Sequence, residues 1–286
     1  MLSQAAQANK DLNAKVERIV SRSTADKAEP QEYEMVRDRM RSQGPNIYQN
    51  RSRLLTCTAM LVSLGTMALA PSAIYFAILV VAMYFYADFY SGLLHVNLDN
   101  RSWLTMPFFK DACLEFQWHH LIPNDISKRH LLDAIGDLNL VMTLRFFLFG
   151  ATVHFLMPSK LALPINYYWT TFGVSLFMAF LNQYGHRQAH TPLSQRPRWV
   201  VWAQNNSLLL PPLVHLAHHN GVDAEEFPHG TSFPVFHGNS ASVLQRLLEL
   251  LPYERFWFAT FFLFSIVDIV VMTHVVYALA NNVRAQ

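Results

Sequence analysis

The chain has 286 residues, of which 52% are hydrophobic and only 15% charged, and its formal net charge is +2 at pH 7. A soluble domain carries about a quarter charged residues, so this composition indicates a membrane protein. The small net charge, without a basic stripe, argues against nucleic acid as a partner. The only two cysteines, Cys57 and Cys113, exclude a disulfide framework and a cysteine-based zinc site.

The charge is concentrated at the start of the chain. Residues 1–53 hold ten Lys/Arg and seven Asp/Glu, with no apolar run for a signal peptide and too many acids for a typical transit peptide. We therefore predict that residues 1–53 form a polar cytosolic N-terminal segment. Within it, residues 10–22 are compatible with a short amphipathic helix or with a solvated tail.

Five apolar runs follow, each about long enough to cross the hydrocarbon core of a bilayer. They cover residues 54–70, 73–94, 138–157, 166–184 and 256–280. The pattern predicts an all-α, multi-pass transmembrane protein with four to five spans. We predict a membrane-embedded domain over residues 54–255 and a C-terminal hydrophobic helix with a short tail over residues 256–286. Segment 199–217 is expected to be an interfacial or re-entrant helix, because its Gln and Asn residues suit buried protein better than lipid.

The positive-inside rule gives an orientation. Arg51 and Arg53 precede the first run and place that end in the cytosol. Two spans then return the chain to the cytosol at His95, and two more return it at His186. Arg145 lies within the third run, where we expect it to snorkel or to line a cavity.

Histidine is the residue type that carries chemistry here. Of thirteen histidines, eight fall at or just beyond the cytosolic ends of predicted spans: His95, His119, His120, His186, His190, His215, His218 and His219. Residues four apart share one face of a helix, so His186 can act with His190, and His215 with His218 and His219. Adjacent residues point about 100° apart, so His119 and His120 can serve two metals, or one ligand role and one supporting role.

Eight imidazoles exceed the roughly four ligands of a zinc site, and neutral imidazole suits iron. The pattern therefore predicts two metals of higher coordination number at the membrane surface. Asp88 and Asp99 flank His95, and either can orient a ligand or simply end a helix. His154 and His274 lie within apolar runs and fit interhelical hydrogen bonds, and His229 fits a structural role. The alternative for the eight is a set of unrelated capping and interfacial residues.

The motifs resemble those of the lipid desaturase family, which includes plasmanylethanolamine desaturases and plastid desaturases of phosphatidylglycerol palmitate. The resemblance covers about residues 85–220. It rests on ADFYSGLLH at 87–95, FQWHHLIPNDIS at 116–127, NQYGHRQAH at 182–190, PRWVVWAQ at 197–204 and HLAHH at 215–219. It implies that the eight histidines hold two non-haem iron ions or closely support them.

The resemblance also implies an activity. The expected enzyme is an O2-dependent lipid desaturase that introduces a double bond into an acyl or alkyl chain of a membrane glycerolipid. It would take electrons from an external donor such as cytochrome b5 or ferredoxin, since the chain has no haem or iron–sulfur motif. In a eukaryote, the endoplasmic reticulum or another endomembrane is the expected location, because the N-terminal segment does not look plastid-directed.

The sequence departs from the family's plasmanyl type at two positions. Arg129 and Ser207 stand where that type has histidine, and His130 comes one residue late, so the sequence leans toward the plastid acyl type. The loop after His219 contains His229 and His237, which we expect to be loop residues. Two other functions use similar residues: a di-iron lipid hydroxylase, or a non-enzymatic membrane protein that binds metal or haem.

Overall fold

A computed structural model describes residues 53–100, 110–121, 123, 125–136, 139–153, 162–219 and 239–285. The described residues are helical and contain no β-strand, as expected for an all-α protein. The α-helices, in chain order, are α1 (Arg53–Met67), α2 (Ala73–Leu98), α3 (Lys110–Leu121), α4 (Asp125–Lys128), α5 (Leu131–Ile135), α6 (Asn139–Ala151), α7 (Ile165–Ala189), α8 (Arg198–Asn205), α9 (Pro212–His219), α10 (Asn239–Leu250) and α11 (Glu254–Ala285).

Helix α7 is the centre of the bundle. It contacts α1, α2 and α11, and its buried residues are shared between two apolar clusters that also contain residues of α2, α6 and α11. Gly173 lets α1 approach closely, because a Cβ there would lie 2.2 Å from the Thr66 Oγ1. The Ser63 hydroxyl donates to the Gly173 carbonyl oxygen across this contact (2.8 Å). Small residues allow the same close approach in membrane helix pairs.

Two of the described helices, α2 and α11, are long and apolar enough to cross a membrane. Helices α1 and α6 are apolar but have only 15 and 13 residues, about 20 Å each at 1.5 Å per residue. Helix α7 has 25 residues, but polar residues such as Thr170, Thr171 and Ser175 lower its mean hydropathy. These three side chains are buried inside the bundle. Two helices of this length and composition fit the predicted membrane protein, while the count of four to five spans stays a prediction.

The Arg145 side chain pairs with a buried carboxylate and does not extend to the membrane surface. Its guanidinium donates to the carboxylate of Asp268, and both side chains are buried. Tyr86 donates its hydroxyl to the same carboxylate (2.7 Å), and the guanidinium lies 4.8 Å from the centre of the Tyr90 ring. Arg145 is thus an interhelical residue that joins α6, α11 and α2, and it does not snorkel as one of our two expectations had it.

The segment after α7 forms two short helices. Residues 199–217 were expected to be a single helix, but the chain turns between α8 and α9. Ser207 has φ 59° and Pro211 and Pro212 follow, so the α8 hydrogen-bond ladder cannot continue. Gln204 is buried as expected, whereas Asn205 and Asn206 are exposed.

Candidate metal centre

Five of the predicted histidines meet at one point. His119 comes from α3, His186 and His190 from the end of α7, and His215 and His219 from α9, and their ligand nitrogens all lie within 4.8 Å of one another. We call them the five-histidine group. The i, i+4 spacing within α7 and within α9 puts each pair on one helical face, and α3 brings the fifth imidazole between them.

Hydrogen bonds alone cannot satisfy this arrangement. The His119 Nε2 lies 2.8 Å from that of His186 and 3.2 Å from that of His190. The His215 Nε2 lies 2.6 Å from that of His190 and 2.9 Å from that of His219. Each neutral imidazole nitrogen carries one hydrogen or one lone pair, so a nitrogen with two such neighbours cannot bond both. Metal–nitrogen bonds of about 2.1 Å place adjacent ligands about 3 Å apart, so the donor set fits a metal ion.

The other three predicted histidines gather around a carboxylate. The ligand atoms of His95, Asp99, His120 and His218 lie within 4.8 Å of one another, and we call them the Asp99 group. Asp99 Oδ2 lies 3.0 Å from the His95 Nδ1 and 3.7 Å from the His218 Nε2, and its Oδ1 lies 3.0 Å from the His120 Nε2. The buried His120 Nδ1 has no hydrogen-bond partner among the described residues, as expected for a ring placed beside a metal.

Neighbouring residues of the sequence are divided between the two groups. His119 belongs to the five-histidine group and His120 to the Asp99 group, an arrangement that fits both predictions for the pair: two metals, or one ligand role and one supporting role. In HLAHH, His215 joins His219, while His218 turns to Asp99. The expectation that His218 acts with His215 was therefore wrong, because a three-residue step leaves its ring on the side of α2. The groups adjoin, with the rings of His120 and His219 4.8 Å apart.

Of the two roles predicted for the acids beside His95, the position of Asp99 fits the orientation of a ligand, because its carboxylate contacts the His95 and His120 rings. It lies four residues after His95 and at the end of α2, so both side chains face the same side. Burial alone would raise the pKa of its carboxyl, but His120 and His95 hold that pKa well below its usual value. Asp88 is buried and belongs to neither group within the described residues.

Burial favours the neutral form of the rings in the five-histidine group. Burial lowers the pKa of His119, His190, His215 and His219 well below the ordinary value, and the neighbouring imidazoles lower it further. The positive charge of Arg196 acts in the same direction on the His190 pKa. Because a metal binds the lone pair of a neutral imidazole, burial prepares these rings as ligands.

Three polar side chains, Gln183, Arg196 and Gln204, hold the five-histidine group in place. The Gln183 Oε1 lies 3.3 Å from the His186 Nδ1 and orients that ring. Arg196 donates to the carbonyl oxygen of Thr191 (2.6 Å) and to the Gln204 Oε1 (2.9 Å), and Gln204 donates to the carbonyl oxygen of Leu210. This chain joins the end of α7 to the start of α9. PRWVVWAQ contains Gln204, whereas Arg196 immediately precedes that motif.

The other residues that the sequence singled out belong to neither group among the described residues. His130 is exposed, and its Nδ1 accepts from the backbone N–H of Leu132 at the start of α5. The His274 Nε2 lies 3.0 Å from the Tyr168 hydroxyl, in agreement with an interhelical hydrogen bond. Both cysteines are free thiols. His154, His229, His237 and the helix expected over residues 10–22 lie outside the described residues.

The donor set restricts the chemistry. Five neutral imidazoles beside three imidazoles and a carboxylate form two adjacent sites, which is more than one zinc ion needs. A bis-histidine haem needs two imidazoles on opposite sides of an open plane, whereas these nitrogens crowd within hydrogen-bond distance of each other. Imidazole with carboxylate is a ligand set typical of non-haem iron that reacts with O2.

Comparison with known proteins places this centre in a family. Residues 84–250 match the lipid desaturase domain family. Plasmanylethanolamine desaturase 1 of Mus musculus is 32% identical over 162 residues, which is 56% of this chain and 56% of that protein. Fatty acid desaturase 4-like 1, chloroplastic, of Arabidopsis thaliana is 25% identical over 185 residues, or 65% of this chain and 56% of that protein. The chain thus spans about half the length of these curated relatives.

No solved structure matches the chain significantly. The family match includes all eight histidines of the two groups and Asp99, and it covers more than half of the chain. The chain therefore belongs to the lipid desaturase family.

Proposed function

We propose that the protein is a membrane-bound lipid desaturase that holds two non-haem iron ions in the five-histidine group and the Asp99 group. The observation that carries this proposal is the convergence of eight histidines and one carboxylate into two adjoining sets of ligand atoms at one end of the bundle. Family membership supports the same activity.

In this proposal the eight histidines are the metal ligands, and Asp99 is a ninth ligand or orients His95 and His120. Two iron ions would supply the O2 chemistry that removes hydrogen from an unactivated carbon chain. The reaction balances as one hydrogen lost from each of two neighbouring carbons, which become doubly bonded, while O2 takes up those two hydrogens, two protons and two electrons to give two waters. No protein side chain acts as a nucleophile.

The substrate is an acyl or alkyl chain of a membrane glycerolipid, in keeping with the names of the two relatives. The two electrons come from an external donor such as cytochrome b5 or ferredoxin. We place residues 54–255 in the membrane-embedded desaturase unit with four core spans, and we add α11 as a fifth. Both groups then lie at the cytosolic surface. In a eukaryotic cell, an endomembrane such as the endoplasmic reticulum is the expected site.

The experiment is lipid analysis by mass spectrometry after expression in a host that lacks the activity, with a reducing system supplied. A desaturase yields chains that have lost two hydrogens, and the purified protein holds two irons per chain without a haem absorption band. Chains that have instead gained an oxygen would favour the hydroxylase. Zinc alone, haem, or no metal in well-folded protein would overturn the proposal and favour a metal- or haem-binding protein.

Two variants make the test specific. His186→Ala removes a ligand from the five-histidine group and should abolish the product. His130→Ala removes an exposed histidine outside both groups and should leave product and iron content unchanged. Full activity of His186→Ala at normal expression would contradict the ligand assignment.

A further inference from the structure

The segment from α8 to α9, residues 198–219, has an inner and an outer side. Its inner side packs on the bundle through Val200, Ala203 and Leu209, which are at most 5% exposed and contact Leu181 and Tyr184 of α7. Its outer side carries four large apolar residues that are 43–60% exposed: Trp199, Trp202, Leu208 and Leu213. We call these four the outer face.

The outer face adjoins the apolar flank of a long membrane helix. Tyr84 of α2 donates its hydroxyl to the carbonyl oxygen of Leu208 (3.0 Å). On either side of Tyr84, Val81 and Phe85 are 58% and 54% exposed, and α2 is one of the two helices long and apolar enough to cross a membrane. Leu208 therefore extends the exposed apolar surface of Val81 and Phe85, and the same apolar medium covers all three residues.

The depth of this face follows from its contacts with α7. The ring of Trp199 stacks on Tyr184, with centroids 5.6 Å apart and planes 7° apart, and Tyr184 lies two residues before His186. Trp199 thus lies close to the level of the five-histidine group. The exposed Arg198, Asn205 and Asn206 flank the two tryptophans, and such polar groups need water or headgroups.

This combination matches the boundary between headgroups and acyl chains. Tryptophan is enriched at that level because its ring is apolar and its N–H is polar. Short amphipathic helices lie there with the apolar face about 5–10 Å into the boundary. We propose that the outer face of the α8–α9 segment binds the lipid bilayer interface and fixes the depth of the metal centre.

The segment couples this contact to the ligands. Helix α9 carries His215, His218 and His219, and the Arg196–Gln204–Leu210 hydrogen bonds join the two halves of the segment. Seating Trp199 and Trp202 in the interface therefore sets how far the histidines stand above the acyl chains. The proposal rests on the chain being a membrane protein and is independent of the reaction that it catalyses.

The test is tryptophan fluorescence of the full-length protein in lipid nanodiscs. Phosphatidylcholine brominated on the upper part of the acyl chain quenches nearby tryptophans by contact. The chain has six tryptophans, so wild type is compared with the Trp199→Phe/Trp202→Phe double variant. We expect the upper-chain bromines to quench wild type strongly and the double variant to lose most of that quenching.

Trp257 provides the matched control, since it is 3% exposed and its indole N–H donates to the Leu251 carbonyl oxygen. Brominated lipid should quench the same amount of fluorescence in Trp257→Phe as in wild type. Equal quenching of wild type and the double variant would overturn the proposal. So would a difference that aqueous iodide produces and brominated lipid does not. Neither result would alter the lipid products by which the desaturase proposal is judged.

Discussion

The five-histidine group and the Asp99 group adjoin, yet they differ in charge. The first offers only neutral imidazoles, whereas the second adds a carboxylate whose pKa His120 and His95 keep well below its usual value. A metal in the first group would keep its full charge, and one in the second would have part of it balanced. The difference teaches that one chain can build two unequal sites from adjacent residues, His119 and His120.

The two groups share α3 and α9, but α7 completes the five-histidine group and α2 completes the Asp99 group. The five-histidine group lies between α7 and α9, which Arg196 and Gln204 join. The end of α2 supplies His95 and Asp99 to the Asp99 group. The Tyr86 side chain of the same helix contacts the buried Arg145–Asp268 pair. Substitutions can therefore separate the two groups, and they are ordered here from the largest expected effect to the smallest.

The largest effect is expected from the adjacent histidines themselves. His119→Ala and His120→Ala should each abolish desaturation, because each removes a ligand at the centre of a group. The proposed two irons should fall to about one in each variant, from different sites. Iron analysis with Mössbauer spectroscopy of the purified proteins checks this. If both variants lost the same spectral component, the division into two groups would be wrong.

Asp99→Asn tests the charge difference alone, since the amide keeps the shape and removes the charge. Loss of a supporting carboxylate typically costs about 10–100-fold in metal affinity or activity, and a ligand role would cost more. Activity and iron retention under a chelator measure the loss. The matched control is Asp133→Asn, which changes a surface carboxylate outside both groups and should leave both quantities unchanged.

The sequence predicted which histidines come together but not how they are divided between the two groups. Spacing of four predicts a shared face within one helix, so His186 with His190 and His215 with His219 could be found in advance. The assignment of His218 to Asp99 depends on the rotation of α9 relative to α2, and no local pattern encodes that rotation. Asp99 itself was detectable, because it lies one helical turn after His95.

The fold shows the same limit. Apolar runs predicted the positions of α1, α2, α6, α7 and α11, because hydrophobicity and length are local properties. The partner of Arg145 was not predictable, since Asp268 lies 123 residues away and their contact depends on how α6 packs on α11. The turn at Ser207 was also missed, because a serine with positive φ has no strong sequence signal.

Asp268→Asn should weaken the Asp99 group more than the five-histidine group. It leaves the Arg145 guanidinium buried without its counter-charge, and breaking a buried ion pair costs about 3–5 kcal/mol of folding free energy. Thermal unfolding in detergent and chelator-dependent iron loss measure the effect. The Arg145→Met/Asp268→Leu double variant removes both charges and should recover most of the stability. Failure to recover would mean that the pair has a role beyond neutralisation.

Gln204→Ala should weaken the five-histidine group more than the Asp99 group. It removes the acceptor of Arg196 and the donor to Leu210, and leaving a buried partner unsatisfied costs about 1–3 kcal/mol. Because these bonds join α7 to α9, iron should be lost from the five-histidine group first. Iron retention under a chelator, followed by Mössbauer spectroscopy, measures this. Asn206→Ala, at an exposed neighbour, is the control, and equal loss from both groups would contradict a local brace.

The smallest effect is expected far from both groups, at the surface pair of Arg53 and Asp133 that joins α1 to α5. The hydrogen bond from Arg53 lowers the pKa of the Asp133 carboxyl below its ordinary value of about 3.9. The folded carboxylate therefore binds its proton less readily than the unfolded one, so the pair contributes stability above that ordinary pKa and loses it as pH falls through the lowered value. Arg53→Gln should lower the melting temperature slightly at neutral pH, and the difference from wild type should vanish in acid, as thermal scans across pH can measure. Iron content should not change in either group, because neither contacts this pair; a selective loss from one group would show that α5 supports a metal site after all.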